Sequence, residues 1–329
     1  AMTEPVTALD YRRGGGLLVL ANSTDALPSS NLLKLDNEQS SLPLLDVADG
    51  GEVDLVALSP YAWDLPLWVA SGRLTAIQTL HRQTWPDGKH PNEGWGRPRD
   101  KGSFPGRQGN GQYSEVIYHH LLDCGLRIPP AAGTGSGSNA LPLGLNRVYV
   151  KCGDEYSPEA WLAGLLAGNV LLTNGTLLRA SVEGRPRGHV FHLDRDERRE
   201  FQIALSLSFY QKAPVEYLEI VKDSQVEYEV RLSDLAKKKG KLPPVVFEQS
   251  GWFLVRAVTS NNKTYQYAST GPYYVESDYR PRVSRKSVEY FLDWLDEAQK
   301  KFAENEQVAK DIESARPFWN DLLNQANAE

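Results

Sequence analysis

The sequence predicts an α/β portion followed by a β-sandwich and closed by a helical tail. Three observations predict it. Up to about Thr176, short apolar runs alternate with helix-like segments, the pattern of a mainly parallel α/β arrangement. Beyond Thr176 the apolar period drops to two, the pattern of strands with one wet face. From Ser284 onward the period lengthens to that of amphipathic helices. The regions run 1–176, 177–282 and 283–329, and a chain of 329 residues with 41% apolar and 24% charged residues is large and apolar enough to pack them.

Taken in order, Gly16 to Leu20 is a short apolar run after glycines and predicts a buried strand, as does Val53 to Leu58. Pro66 to Ala70 predicts a short helix and Leu74 to Leu80 a strand. Arg82 to Gly111 is a long polar stretch, a length that in a compact domain belongs to functional or mobile loops. Gln112 to Cys124 predicts a helix with Tyr113, Val116, Ile117, His120, Leu121 and Cys124 on one face and His119 off it, ended by Gly125. After a short strand, Pro129 to Ser138 is rich in Gly and Ser. Arg147 to Val150 and Val170 to Thr173 predict strands, separated by a helix that Ser157 caps and Pro158 opens. Ile203 to Phe209 and Val226 to Leu232 alternate; Trp252 to Val258 is apolar on both faces and predicts a central strand; Tyr265 to Ala268 and Tyr273 to Val275 follow. Ser284 caps one tail helix, and a second starts near Asn305 and is expected to break or kink at Pro317.

Composition excludes some function classes. A net charge of −6 argues against a nucleic-acid binder, which carries a basic surface. No run of about 18 apolar residues exists to span a membrane. The N-terminus shows no basic-then-apolar signal, which leaves a soluble protein of open compartment, export after removal of a leader included. Cys124 and Cys152 do not make a disulfide framework.

Several phrases in shared order carry a resemblance. They are Tyr118 to Pro129, Asn146-Arg147-Val148-Tyr149-Val150, Trp161, Ala167-Gly168, Leu172-Thr173-Asn174-Gly175, Leu177-Leu178 and Val182-Glu183-Gly184. Ser250-Gly251-Trp252, Val255-Arg256-Ala257 and Thr270 to Val275 continue the series. From about Gly14 to Trp294 the chain resembles PHP-type (polymerase-and-histidinol-phosphatase) metallohydrolases of the carbaryl-hydrolase-like branch. That resemblance implies a distorted, here partial, β/α barrel with a β-domain, hydrolysis of phosphate esters or carbamates, and zinc, manganese or iron as cofactor. Departures from the family pattern matter more. Its His-x-His motif has no counterpart and would lie upstream of Ala1. Its Gly-Thr-Asp-Ser-His motif aligns with Gly133 to Gly137, so both ligand positions are glycine, which offers no side-chain donor. Thr176 stands where the family has proline.

Metal hydrolysis needs carboxylates and imidazoles converging on one ion. The candidates are His81 at the end of a strand, Asp64 and His120. Each has a structural alternative: a backbone-bonded histidine, a helix cap and a core histidine. His119 and His120 point about 100° apart on a helix and do not share an ion. His90, His189 and His192 carry little signal, and Lys237 to Lys239 with Lys241 is a solvated turn. Candidate substrate-binding residues are Asn146 and Arg147, with Arg107 and Trp95 in the long loop, where Trp85, Arg97, Arg99 and Phe104 add a mix of aromatics and arginines suited to ligand stacking, a partner surface or plain packing. Gly133 to Gly137 is either an anion nest or a connecting loop. Two functions follow: a degenerate metallohydrolase-like protein with little turnover in this chain, or a binding module for a small molecule, a saccharide or a protein. A metal site rebuilt from His81, Asp64 and His120 is the third.

Overall fold

The computed structural model describes residues 7–8, 17–21, 40–42, 53–57, 59–81, 84, 96–106, 108–134, 143–153, 155–208, 214–237, 241–260 and 265–329. Trp85, Trp95, Arg107 and Gly135 to Gly137 lie outside them.

The first five strands, β1 (Thr7–Ala8), β2 (Leu17–Ala21), β3 (Val53–Ala57), β4 (Leu74–Leu80) and β5 (Pro130–Ala132), form one open sheet in that order. Only β3, β4 and β5 run parallel; β1 and β2 turn back antiparallel. Helix α1 (Leu65–Ala70) joins β3 to β4, and α2 (Gly109–Asp123) joins β4 to β5.

The next pair, β6 (Arg147–Val150) and β7 (Val170–Thr173), does not extend this sheet. Its two strands pair antiparallel with each other, and β7 joins an eight-stranded sheet by pairing with Ala268, Ser269 and Thr270. That sheet also contains β9 (Val190–Leu193), β12 (Val215–Lys222), β13 (Gln225–Arg231), β15 (Gly251–Thr259), β16 (Tyr267–Thr270) and β17 (Tyr273–Ser277). Its strands run β13-β12-β15-β16-β7-β6, with β17 beside β15 and β9 beside β17. Two small sheets, β8 (Leu177–Val182) with β11 (Ile203–Ser208) and β10 (Arg199–Phe201) with β14 (Val245–Phe247), share an apolar core with one face of it, centred on Phe201, Phe247, Phe253 and Tyr273.

The expected fold, a partial β/α barrel followed by a β-sandwich, is therefore corrected. Among the described residues the chain is a mixed α/β structure of small open sheets and six helices, and no barrel closes. The physical reason lies at β6 and β7. Helix α3 (Pro158–Leu166) separates them, which suggested a parallel crossover, but Val150 pairs with Val170 and the Lys151 amide donates to the Asn169 carbonyl. The helix is an insert in a β-hairpin, and a hairpin returns its strand antiparallel.

Helix α2 has two buried faces. Ile117, Leu121 and Leu122 enter a core with α1, α5 (Arg285–Lys301) and α6 (Glu306–Asn324), while Glu115 and His119 meet the large sheet. A short sixth helix, α4 (Leu232–Lys237), follows β13. The tail closes on α1 where Trp319 Nε1 donates to the Pro66 carbonyl at 3.1 Å. Helix α6 runs through Pro317 unbroken. Burial of Ile312, Ala315 and Trp319 offsets the roughly 3 kcal/mol that an interior proline costs.

Candidate functional site

The parallel strands β4 and β5 bring their carboxyl ends to the side where open α/β sheets bind ligands. His81 follows β4 directly and is buried. Its Nε2 lies 2.8 Å from the Ser114 hydroxyl, which itself donates to the Asn110 carbonyl, and its ring packs edge-on to Tyr61. Asn146 sits just before β6 and ties the two strand ends together. Its Nδ2 donates to the His81 carbonyl at 3.0 Å and to the Gly133 carbonyl at 3.1 Å, and its amide donates to the Thr134 hydroxyl. The Asn146 Oδ1 is buried and has no hydrogen-bond partner among the described residues. Arg147 fastens its guanidinium to the carbonyls of Gly144 and Gly175, with Nε buried and without a partner among the described residues. Both residues hold the start of β6 in place.

The remaining metal candidates are placed elsewhere. Asp64 accepts from the Ser41 hydroxyl at 2.6 Å, and that hydroxyl accepts from Trp68 Nε1. Asp64 occupies the cap position of α1 but makes no side-chain cap bond. His120 lies six residues beyond Ser114, about 9 Å along the axis of α2. It stacks on Tyr290 with ring centroids 4.1 Å apart and its Nδ1 meets the Ser287 hydroxyl. Burial pushes its pKa down to about 4, with Lys286 and Arg97 adding to the effect. His119, expected off the packed face, is the more deeply buried of the two, against Trp252. Burial, then Arg256 and His120, lower its pKa to about 3. His81, Asp64 and His120 thus bond to three different hydroxyls. Among the described residues no group of three or more His, Cys, Asp and Glu could hold a metal ion. The side chains do not fit the divalent ion that the family resemblance implies.

The long-loop residues within the described region pack inward. Arg97 pairs with Glu297 and stacks over Tyr290 and Trp294, and Phe104 packs on Tyr113. Arg99 donates to the Phe104 carbonyl and to Asn110.

A second locus was not singled out from sequence. On the α2-facing side of the large sheet, Trp252 and Leu254 give way along β15 to Arg256. Glu219 stands directly opposite Arg256 in the β12–β15 register. The Arg256 Nε donates to Glu219 at 2.6 Å, a second guanidinium nitrogen also meets Glu219, and the third meets Glu115 of α2 and the Tyr265 hydroxyl. Tyr265 donates to Glu115 as well. Burial opposes the charge on Arg256, but Glu115, Tyr265 and Glu219 hold its pKa well above the ordinary range. Burial raises that of Glu219 against the pull of Arg256.

Over this network opens a cleft of about 340 Å3. Gln108 and Gln112 from the start of α2 form one wall. Glu216, Tyr217 and Glu219 of β12, Arg256 to Thr259 of β15 without Ala257, Ser260, Tyr265 and Gln266 form the rest. The close seating of α2 depends on Gly111: a Cβ there would lie 2.4 Å from Tyr265 Cδ1. One sequence signal pointed here, a charged Arg256 inside a strand apolar on both faces, which requires a buried partner. No family model, curated protein or solved structure matches the chain.

Proposed function

We propose that this chain acts by recognition rather than by metal-dependent hydrolysis, and that the cleft between α2 and the large sheet holds a small polar ligand of the saccharide class. The observation that carries this reading is the cleft's lining: of the eleven described residues that line it, only Val258 lacks a polar side-chain group. Its volume falls at the lower end of small-molecule sites, about 300–1,000 Å3. Amides, hydroxyls and carboxylates can each exchange a water for a sugar hydroxyl, whereas an apolar ligand would leave them unpaired. The buried Glu115–Arg256–Glu219 network fixes the floor. Loss of turnover is supported by glycines at 135 and 137, where the resembling family carries ligands, and by the separate hydroxyl partners of His81, Asp64 and His120.

The test is thermal denaturation with a panel of mono- and disaccharides, for the parent and for Ser260→Trp, which fills the mouth from an exposed position. Saturable stabilisation of the parent alone is expected. No stabilisation by any sugar would overturn the cleft reading. Stoichiometric zinc, manganese or iron in the purified chain, with ester turnover abolished by chelator, would overturn the non-hydrolytic one.

A further inference from the structure

We infer that the cleft selects a ligand bearing a protonated amine beside hydroxyl groups, an amino sugar, over its neutral or acidic counterparts. This rests on the recognition reading above and adds the charge of the ligand to it.

The first argument is charge. Glu216 and Glu219 line the cleft, and Glu115 lies directly behind Arg256. Glu229 of β13 stands opposite Glu219, and Arg231 opposite Tyr217. Among the described residues four carboxylates thus face two guanidiniums. Arg256 donates to Glu219 through Nε and one terminal nitrogen, and to Glu115 and Tyr265 through the other. Among the described residues a ligand carboxylate therefore meets no uncommitted buried cation, and a ligand ammonium meets an excess of negative charge.

The second argument is a backbone irregularity. Val215 pairs with Thr259, but Tyr217 pairs with Val258, so Glu216 is an extra residue in β12. Regular strand neighbours point to opposite faces. The bulge at Glu216 re-aims its side chain, and both Glu216 and Tyr217 line the same cleft. Glu216 is exposed and makes no hydrogen bond or ion pair to another described residue. A carboxylate next to a phenol ring is a recognised pairing for ammonium, one through charge and the other through its π face. Gln112, on the opposite wall, supplies an amide for the hydroxyls.

Isothermal titration near pH 6.5 with glucosamine, glucose and glucuronate at matched ionic strength tests this. Glucosamine should bind about five- to tenfold more tightly than glucose, with glucuronate weakest, and the advantage should shrink in high salt. Glu216→Gln should bring the ratio of glucosamine to glucose affinity down to about one. Equal affinities for the three sugars in the parent, all lost in Ser260→Trp, would overturn the charge preference and leave the cleft reading standing. A glucosamine preference that survives Glu216→Gln would also overturn it. Binding of none of the three would overturn both.

Discussion

Arg256 holds together two carboxylates that are otherwise stranded. Glu115, Glu219 and Arg256 are all under a tenth exposed, and the guanidinium is shared between α2 and the large sheet. Replacing it with methionine, of similar length, removes one positive charge and leaves two buried carboxylates about a guanidinium's width apart. Removing one partner of a buried ion pair costs about 3–5 kcal/mol. Native stability is about 5–15 kcal/mol, so Arg256→Met should lose a large share of it. The stranded carboxylates can recover only by binding protons, so the loss should shrink by more than 1 kcal/mol between about pH 7 and pH 5. Adding Glu115→Gln and Glu219→Gln to Arg256→Met removes the uncompensated charge and should restore most of the stability. Urea unfolding followed by fluorescence of the eight tryptophans measures all three proteins. An Arg256→Met protein as stable as the parent at pH 7, or equally destabilised at both pH values, would refute the reasoning.

Gly111→Ala should destabilise by about 1–3 kcal/mol through overpacking on Tyr265, despite the gain of about 1 kcal/mol in helix propensity, whereas Gly153→Ala, which meets nothing within 4 Å, serves as the neutral comparison in the same melts. His119 and His120 have folded pKa values near 3 and 4, below the ordinary 6.5. The unfolded chain therefore takes up protons first, and stability present above about pH 6.5 is lost as the pH falls towards 4; His119→Gln should flatten that limb. Asp223 works the other way. Burial raises its pKa from 3.8 to about 6, so it lowers stability as the pH rises through that window. Asp223→Asn should therefore steepen the acid loss and stabilise the protein at neutral pH, read from melting temperatures between pH 4 and 7.

Local structure was largely legible in the sequence. The strand Leu74–Leu80, the helix capped by Ser157 and the helix capped by Ser284 fall where apolar spacing and capping residues put them. These signals are local, since a cap or a period of two is set within a few residues. Strand direction is not local. Nothing in Val150 or Val170 announces that they face each other, and the helix between them imitates a crossover. The same limit applies to His119 and His120. A single-face reading of the helix assigns one as packed, whereas a helix wedged between a sheet and three other helices buries both sides. The cleft was hidden for a related reason: Gln112, Glu216 and Arg256 come from three separate segments. Arg256 alone broke a rule that was visible in the chain.

Helix α2 is pinned at each end. Its first turn is seated by Gly111 under Tyr265, and at its last residue Asp123 accepts from Trp252 Nε1 at 2.8 Å and from Ser224, while its carbonyl accepts from the Ser284 amide. A rod fixed in this way cannot swing one end without lifting the other from its seat. The described part of the recess beside it is thus preset, and the ligand proposed for it would dock into a shape already made, surrendering little conformational freedom.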